Sequence, residues 1–372
     1  MKTIRRLIYG EVFAAVFFVL LAFLSLFFFF DLVDELPDVG KKSVLDPARV
    51  YSLADALIYV ALLVPSRIYE LMPIAVLIGS VFVLARLAQG SEYTILRTSG
   101  LGPWRALRTL LGLGSIFVLV TFAMGDYVAP FADRVAQLHK ARFEGAISLG
   151  QTGAWLKERQ PYSSFSVNVG SLSAEGGLGN VRIFEFNNQG TLVSTLRAKT
   201  GQIEADDSWT LHQVERREFD ASGTGAARVA RTQHDTFRWP SGINTEMVAV
   251  ALLKPERMRT TDLFAYIRHL QANGQTAQRH EIEFWRKVFY PLSCLVMVVL
   301  ALPFAYLHFR SGSITGYVFG GVMIGISFFL LNNVFGYIGN LNQWRPWLAA
   351  ASPALIYSVV SLGAFGWLVL RR

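Results

Sequence analysis

Few residues of this chain have the types and spacing that catalysis requires. His269 and His280 are separated by a helix-breaking Asn-Gly pair and have no ligand pattern nearby, so we expect exposed histidines rather than a metal site. Asp206 and Asp207 precede a predicted strand and are typical of a turn. The Gly40 to Lys42 segment lacks the upstream glycine of a phosphate-binding loop, and no Gly-x-Ser-x-Gly elbow occurs. The sequence therefore does not favour an enzyme, and we expect no catalytic residue, metal or cofactor in this chain.

A stronger signal lies in the segment from Gln89 to Gly100. Ser91 can cap a short helix there, and Gly100 can end it. Glu92 would then lie in an acidic first turn and Arg97 in a basic last turn. An exposed apolar patch beside them would consist of Tyr93, Ile95 and Leu96. Such a helix suits docking into a groove of a partner protein. A surface helix that merely joins two membrane spans explains the same residues equally well.

Composition indicates an integral membrane protein. Hydrophobic residues make up 52% of the chain and charged residues only 17%, and the mean hydropathy is +0.37; an average soluble domain is more polar. The formal net charge is +8, but the basic residues are concentrated beside the apolar runs, which argues against nucleic acid as a partner. Cys294 is the single cysteine, so an internal disulfide is excluded.

Six apolar runs each approach the roughly 20 residues needed to cross a bilayer. The predicted spans are residues 8–30, 71–87, 106–127, 284–307, 317–339 and 347–370. Two groups of three spans, within 1–129 and 280–372, are separated by a polar insert at 130–279. This pattern predicts an extramembrane domain that is tethered on both sides by membrane helices.

The charges of the short loops predict the orientation of the chain. Basic residues concentrate on one side of the predicted spans: Lys2, Arg5, Arg6, Arg86, Arg97, Arg105, Arg108, Arg310, Arg371 and Arg372. The loop after the first span is mixed instead, with Asp31, Asp34, Glu35, Asp38, Lys41 and Lys42. The positive-inside bias therefore places both termini in the cytoplasm and the insert outside, which is the periplasm in a Gram-negative cell.

The insert has the pattern of a β domain followed by a helix. Alternating apolar and polar residues predict half-buried strands over 154–157, 164–169, 181–186 and 208–214. Residues 187–190 are typical of a hairpin turn. Many short strands at such spacing favour a sandwich or jelly-roll. A helix should follow, capped by Thr260 or Thr261 and stopped by Asn273 and Gly274.

Bulky apolar side chains offer candidate walls for lipid acyl chains. In the spans these are Phe23, Phe27, Phe30, Phe328 and Phe329, and in the insert they are Trp155, Phe165, Phe184 and Phe186, which the alternation predicts to point inward. Ordinary packing or simple lipid exposure explains any single one equally well.

The fifth predicted span carries small and polar residues that favour helix contacts. Gly316, Gly320, Gly321 and Gly325 form a small-xxx-small pattern that permits close approach of another helix. Asn332 and Asn333 would be costly against lipid, so we expect them to face a partner helix or a cavity.

The order of these segments resembles the LptF/LptG family, the permeases of the lipopolysaccharide export ABC transporter. The matching segments are SEYTILRTSG (91–100), GDYVAP (125–130), LVDEL (32–36), GAWLK (153–157) and VALLKPERM (250–258). The last three fit the LptG branch better than the LptF branch. The resemblance covers nearly the whole chain and rests on the order and topology of the segments.

This resemblance implies a permease subunit that extracts lipopolysaccharide from the outer leaflet of the inner membrane and passes it to a periplasmic bridge. The implied partners are an LptF-like permease, an LptB-like ATPase dimer, LptC and LptA, with ATP and Mg²⁺ used by the ATPase. Glu92 would occupy the position of the helix that docks into the ATPase, with Tyr93, Leu96 and Arg97 around it. Lys41 and Lys42 would be the nearest cations for lipid phosphates.

The predicted fold is thus an integral membrane α-helical protein with six transmembrane helices, three before and three after an inserted periplasmic β-jelly-roll-like domain. The coupling helix would lie near 91–100. An alternative function is a membrane-tethered scaffold or sensor whose β domain binds a periplasmic ligand without transport; it would have no ATPase partner.

Overall fold

The computed structural model describes residues 2–43, 49–90, 92–98, 100–144, 153–173, 177–204, 206, 208–220, 228–244, 247–248, 255–306 and 314–370. The main helices are α1 (Lys2–Glu35), α2 (Leu53–Gln89), α3 (Glu92–Thr98), α4 (Pro103–Ala123), α5 (Ala129–Glu144), α6 (Thr260–Ala272), α7 (Gln278–Ala301), α8 (Ile314–Leu341) and α9 (Pro346–Leu370). A π-helical turn, Met124–Val128, joins α4 to α5.

Within the described ranges, six helical segments are long and apolar enough to span a membrane. They are formed by α1, α2, α4 continued into α5, α7, α8 and α9. The prediction of three spans on each side of an insert is therefore confirmed. The third segment does not end at residue 127, because the π-helical turn carries the helix on into α5.

The second span is longer than hydropathy predicted. Its helix begins at Leu53 rather than near residue 71, because Arg67 and Glu70 lower the hydropathy of a stretch that is nevertheless helical. Arg67 is neutralised by Asp31 of α1: its Nε donates to Oδ2 at 3.0 Å and its Nη2 to Oδ1 at 2.6 Å. This bidentate pair is a strong form of charge-assisted hydrogen bond.

The helical unit comprises Met1–Asp34, Val60–Ala132 and Gln278–Arg372. Its core contains buried side chains from every span, including Val12, Leu77, Leu113, Cys294, Phe328 and Phe365. Helices α1 and α2 approach closely at Gly79, where a Cβ atom would lie 2.7 Å from Val16 Cγ2. Only glycine fits at that crossing, as is common where helices pack in membranes.

The second unit comprises Glu35–Tyr59 and Asp133–Ala277. Its strands are β1 (Ala154–Arg159), β2 (Ser163–Leu172), β3 (Gly177–Asn187), β4 (Leu192–Ile203), β5 (Trp209–Asp220) and β6 (Arg228–Trp239). They form one antiparallel sheet in which each strand pairs with the next in chain order. The inserted β domain is confirmed; the order of its described strands is that of a meander, whereas a jelly-roll would interleave strands from distant parts of the chain.

Two of the six strands were not predicted from the sequence. Strand β4 contains Arg197 and Lys199, and β6 contains four charged residues, yet both pair along most of their length with β3 and β5. In β4, Leu196 and Ala198 are buried while Arg197 between them is exposed. In this part of β4, the charged side chain therefore lies on one face of the sheet and the buried side chains lie on the other.

The turn between β3 and β4 is the predicted hairpin turn. Asn187 Oδ1 accepts the backbone N–H groups of Gln189 at 3.0 Å and Thr191 at 2.9 Å. The helix after the sheet is also present as α6 and ends at Asn273 as predicted, but its N-cap is Arg259, without a side-chain capping bond. The expected threonine cap is therefore wrong, because the helix starts one residue earlier than assumed.

Candidate docking helix and lipid-contact residues

Helix α3 joins the second and third spans and ends in a defined motif. Leu101 N–H donates to the carbonyl of Leu96 at 3.0 Å, and Gly100 N–H donates to that of Arg97 at 3.1 Å. Gly100 has φ +100°, a conformation that glycine adopts without a Cβ penalty, and the two bonds form a Schellman motif. The predicted stop at Gly100 is confirmed, whereas the predicted cap at Ser91 lies outside the described residues.

One side of α3 is packed into the helical core. Tyr93 is only 3% exposed, and its ring lies edge-on to Tyr306, with 5.1 Å between the centroids. Leu96, three residues later, is half-buried against the same core. The expectation that Tyr93 forms part of an exposed patch is therefore wrong, since the helical period turns positions 93 and 96 inward together.

The opposite side of α3 is exposed. Glu92 and Arg97 are exposed, and between them Ile95 has 62% of its surface exposed. The outward surface thus has an acidic start, an apolar centre and a basic end. This arrangement can offer a partner groove one apolar contact and two charged contacts.

Helix α1 presents much of its aromatic surface outward. Phe30 is 53% exposed, while Phe23 and Phe27 are half-buried. The Arg67 guanidinium lies over the Phe27 ring at 5.2 Å from its centroid, a cation–π contact. Phe17 and Phe18, which sequence reasoning did not single out, are 67% and 70% exposed. Their large apolar surface is suited to contact with lipid or with another subunit.

The two candidate phenylalanines of α8 differ in environment. Phe328 is 1% exposed and packs between Tyr290 at 6.3 Å and Tyr357 at 5.3 Å. It is therefore a core residue in this structure and not a lipid contact. Phe329 differs because adjacent positions of a helix point about 100° apart. Phe329 is 39% exposed and presents an apolar surface that suits contact with lipid.

The glycines of α8 divide between two surfaces. A Cβ atom at Gly325 would lie 2.9 Å from Ile74, and one at Gly321 would lie 3.6 Å from Val81, so these two glycines pack against α2 of the same chain. A Cβ atom at Gly316 or Gly320 would meet no atom of the described residues within 4 Å. Of these four glycines, Gly316 and Gly320 are therefore the two that no described residue covers.

The two adjacent asparagines of α8 differ in exposure. Asn332 is buried, and Asn333 is exposed and accepts a hydrogen bond from Arg286 of α7 at 3.1 Å. Sequence reasoning missed Arg286 and its neighbour Lys287, whose Nζ donates to the Gly125 carbonyl at 3.0 Å. That carbonyl belongs to the π-helical turn, and such turns are frequent at functional sites.

The four candidates of the sheet lie on opposite faces. Phe165 is directly opposite Glu185, and directly opposite residues share a face of the sheet. Phe184 is adjacent to Glu185 in the same strand, so its side chain points to the other face. Phe165 belongs to the buried face, with Val167 and Leu196. Phe184 belongs to the other face, together with Trp155 and Phe186. The prediction that all four point inward is therefore wrong for these three residues.

The two lysines after the first span differ, because Lys41 sits in a charged cluster and Lys42 does not. Lys41 forms an ion pair with Asp38, and Asp38 also accepts a hydrogen bond from Lys140 at 2.9 Å. Lys140 reaches the buried Glu35 as well, at 3.0 Å. Sequence reasoning missed Lys140, since no local spacing relates it to residues about a hundred positions earlier. Lys42 is exposed and forms no ion pair among the described residues.

The candidates for catalysis remain dispersed. Among the described residues, no three histidine, cysteine, aspartate or glutamate side chains converge as metal ligands would. His269 and His280 are half-buried rather than exposed, and burial lowers the pKa of His269, an effect that nearby Glu158 partly opposes. Asp206 lies in the predicted turn and accepts hydrogen bonds from the Ser208 side chain at 2.6 Å and backbone at 3.2 Å. These bonds lower the pKa of Asp206.

Comparison with known proteins identifies the family of this chain. Residues 6–371 match the family described as lipopolysaccharide export system permease LptF/LptG. The chain is 27% identical to lipopolysaccharide export system permease protein LptG of Escherichia coli K12 over 370 residues, covering 99% of this chain and 98% of that protein. It is 25% identical over 374 residues to the LptG protein of Haemophilus influenzae, covering 100% of this chain and 99% of that protein. With six membrane helices around an inserted antiparallel sheet, the chain belongs to the LptF/LptG family of lipopolysaccharide export permeases.

Proposed function

We propose that this chain is the LptG-like permease subunit of an ABC transporter that extracts lipopolysaccharide from the outer leaflet of the inner membrane. ATP hydrolysis in a separate subunit drives the extraction, and the lipid then passes to a periplasmic bridge toward the outer membrane. Membership of the permease family supports this function over a scaffold or sensor without transport. The loop charges support cytoplasmic termini and a periplasmic β domain.

The observation that carries the proposal is the two-sided packing of α3. Tyr93 anchors the helix in the core, which leaves Glu92, Ile95 and Arg97 as the docking surface for an LptB-like ATPase. A short helix that is fixed on one side and exposed on the other can transmit a partner's movement to the spans. ATP and Mg²⁺ are used by that ATPase dimer and not by this chain.

Lipid enters beside α1 and α8 in this proposal. The exposed rings of Phe17, Phe18 and Phe30 provide an apolar wall, and the open glycines Gly316 and Gly320 leave room for a partner helix. An LptF-like subunit supplies that helix, so α1 of each permease faces α8 or its equivalent in the other. LptC and LptA receive the lipid on the periplasmic side.

The test is purification of the tagged chain from native membranes, followed by mass spectrometry of the proteins and lipids that remain bound. We expect an ATPase with a Walker A loop, a second LptF/LptG-family subunit and lipopolysaccharide. An unrelated six-span protein with the same tag serves as control. Recovery of none of the three above the control level would overturn the proposal.

A further inference from the structure

The sheet has a strongly basic exposed face. We name it the basic face and define it by Trp155, Lys157, Arg182, Phe184 and Arg197, which the strand register places on the same side of β1, β3 and β4. Arg182 and Arg197 are direct cross-strand partners, and both are exposed. Side chains in such a pair have Cβ atoms about 5 Å apart.

A cross-strand arginine pair is unfavourable unless something negative lies between its members. Like charges placed directly opposite each other destabilise a sheet. Among the described residues, neither Arg182 nor Arg197 forms an ion pair. The nearest acid on this face, Glu215, is opposite Arg197 in the register but pairs with Arg217 at 2.6 Å and Arg231 at 3.0 Å. The two guanidinium groups are therefore available to an external anion.

An aromatic surface lies beside the arginine pair. The rings of Trp155 and Phe184 are stacked, with 5.8 Å between centroids and 24° between planes, and Trp155 is 50% exposed. Phe184 is two residues from Arg182 on the same strand, so both side chains point to the same side. A flat apolar surface thus adjoins a pair of groups that bind phosphate in a bidentate manner.

We propose that the basic face binds the phosphorylated saccharide portion of the exported lipid. The inference rests on the proposed function, because that function supplies the lipid. Sugar rings have flat apolar faces that stack on aromatic rings, and their phosphates match the arginine pair in charge and geometry. An acidic peptide would use the arginines but would leave the stacked rings without a matching surface.

The test uses the full chain in nanodiscs and isothermal titration with a deacylated, phosphorylated core oligosaccharide of lipopolysaccharide. Without acyl chains, ATP or partner subunits, the assay does not depend on the transport cycle. Parallel titrations use the same oligosaccharide after enzymatic dephosphorylation, inorganic phosphate and polyglutamate. The variants are Arg182→Glu, Trp155→Ala and, as a control for net charge, Arg268→Glu on the exposed side of α6.

We expect Arg182→Glu and dephosphorylation each to weaken binding by about tenfold or more, as the loss of a charged hydrogen-bond partner should. Trp155→Ala should weaken it several-fold, and Arg268→Glu should not change it. Because Arg182→Glu replaces a like-charge pair with an opposite-charge pair, its melting temperature should equal or exceed that of the wild type, which separates lost binding from misfolding.

Wild-type affinity in Arg182→Glu would overturn the proposal, as would equal binding of the dephosphorylated saccharide. Tighter binding of polyglutamate would assign the face to an acidic protein instead, and equal binding of inorganic phosphate would reduce it to an unspecific anion site. Any of these results with export intact would reject the basic face while leaving the permease function standing. A chain that binds the oligosaccharide but does not export lipopolysaccharide would leave the basic face standing and reject the permease function.

Discussion

The ring of Tyr93 packs edge-on against the ring of Tyr306, with 5.1 Å between their centroids. Tyr93 lies on α3, and Tyr306 ends the 3₁₀ turn that follows α7. One buried contact therefore joins the short helix to the end of the fourth span. A partner that binds the exposed side of α3 would act on that span through this contact.

The two sides of α3 should respond differently to substitution. Tyr93→Ala removes a buried ring and should lower the free energy of unfolding by about 3 kcal/mol. Ile95→Asp changes an exposed position and should alter that free energy by less than about 0.5 kcal/mol, yet weaken association with the ATPase. Thermal unfolding in detergent and ATPase pull-down measure the two effects. A destabilised Ile95→Asp variant beside an unaffected Tyr93→Ala variant would contradict the assigned orientation of the helix.

The glycines of α8 offer a matched pair of substitutions. Gly325→Leu would clash with Ile74 of the same chain, and overpacking of this kind costs about 1–3 kcal/mol. A Cβ atom at Gly320 would meet no atom of the described residues within 4 Å, so Gly320→Leu should leave the stability unchanged. If Gly320 faces a helix of the partner permease, Gly320→Leu should instead lower recovery of the heterodimer. Normal heterodimer recovery in Gly320→Leu would argue against a partner at this surface.

The two lysines after the first span should differ in their effect on lipid loading. Lys41 is already paired with Asp38, whereas Lys42 is exposed and forms no ion pair among the described residues. A phosphate must compete with Asp38 for Lys41 but not for Lys42. Lys42→Glu should therefore reduce the lipopolysaccharide that co-purifies with the transporter more than Lys41→Glu does. Lipid analysis by mass spectrometry checks this order, and equal loading in both variants and the wild type would remove the phosphate role.

The positions of the helices could be predicted from the sequence because hydropathy over about 20 residues is a strong signal. Hydropathy did not predict the start of α2, where the charge of Arg67 is balanced by Asp31 of another helix. That pairing is a tertiary feature, and no local pattern in the sequence reveals it.

The faces of the sheet could not be predicted in the same way. Phe165 and Phe184 both lie in alternating stretches, but only the register of β2 against β3 shows that they point to opposite sides. Strands β4 and β6 were missed because few of their buried positions carry large apolar side chains. Ser194 and Ala198 are among the buried residues of β4, and Trp239 is the one buried residue among those of β6 whose exposure the structure describes. The inward side of α3 was missed for a related reason, since exposure of Tyr93 depends on how the helix rests on the core.

Burial of His269 predicts a pH dependence of the β domain. Because burial holds the pKa of His269 below its ordinary value, the folded state favours the neutral ring. Above the ordinary pKa, about 6.5, the ring is neutral in both the folded and the unfolded chain, and the free energy of unfolding is at its full value. Below that pH the unfolded chain takes up the proton more readily, so the free energy of unfolding falls until the pH reaches the lowered folded-state pKa. The melting temperature of the wild type should therefore fall more steeply on acidification than that of His269→Gln. Parallel curves for the two proteins would contradict this source of pH dependence.

The central claim is that an ATPase docked on α3 drives lipid export through this chain. The most direct measurement is ATP-dependent release of lipopolysaccharide from proteoliposomes that contain the complete transporter, with Glu92→Ala compared with the wild type and with Glu204→Ala, an exposed acid of the β domain. Loss of a hydrogen-bonded interface charge costs about 2 kcal/mol, so Glu92→Ala should weaken ATPase docking and reduce release while Glu204→Ala exports normally. Unchanged release together with unchanged ATPase association in Glu92→Ala would contradict the claim.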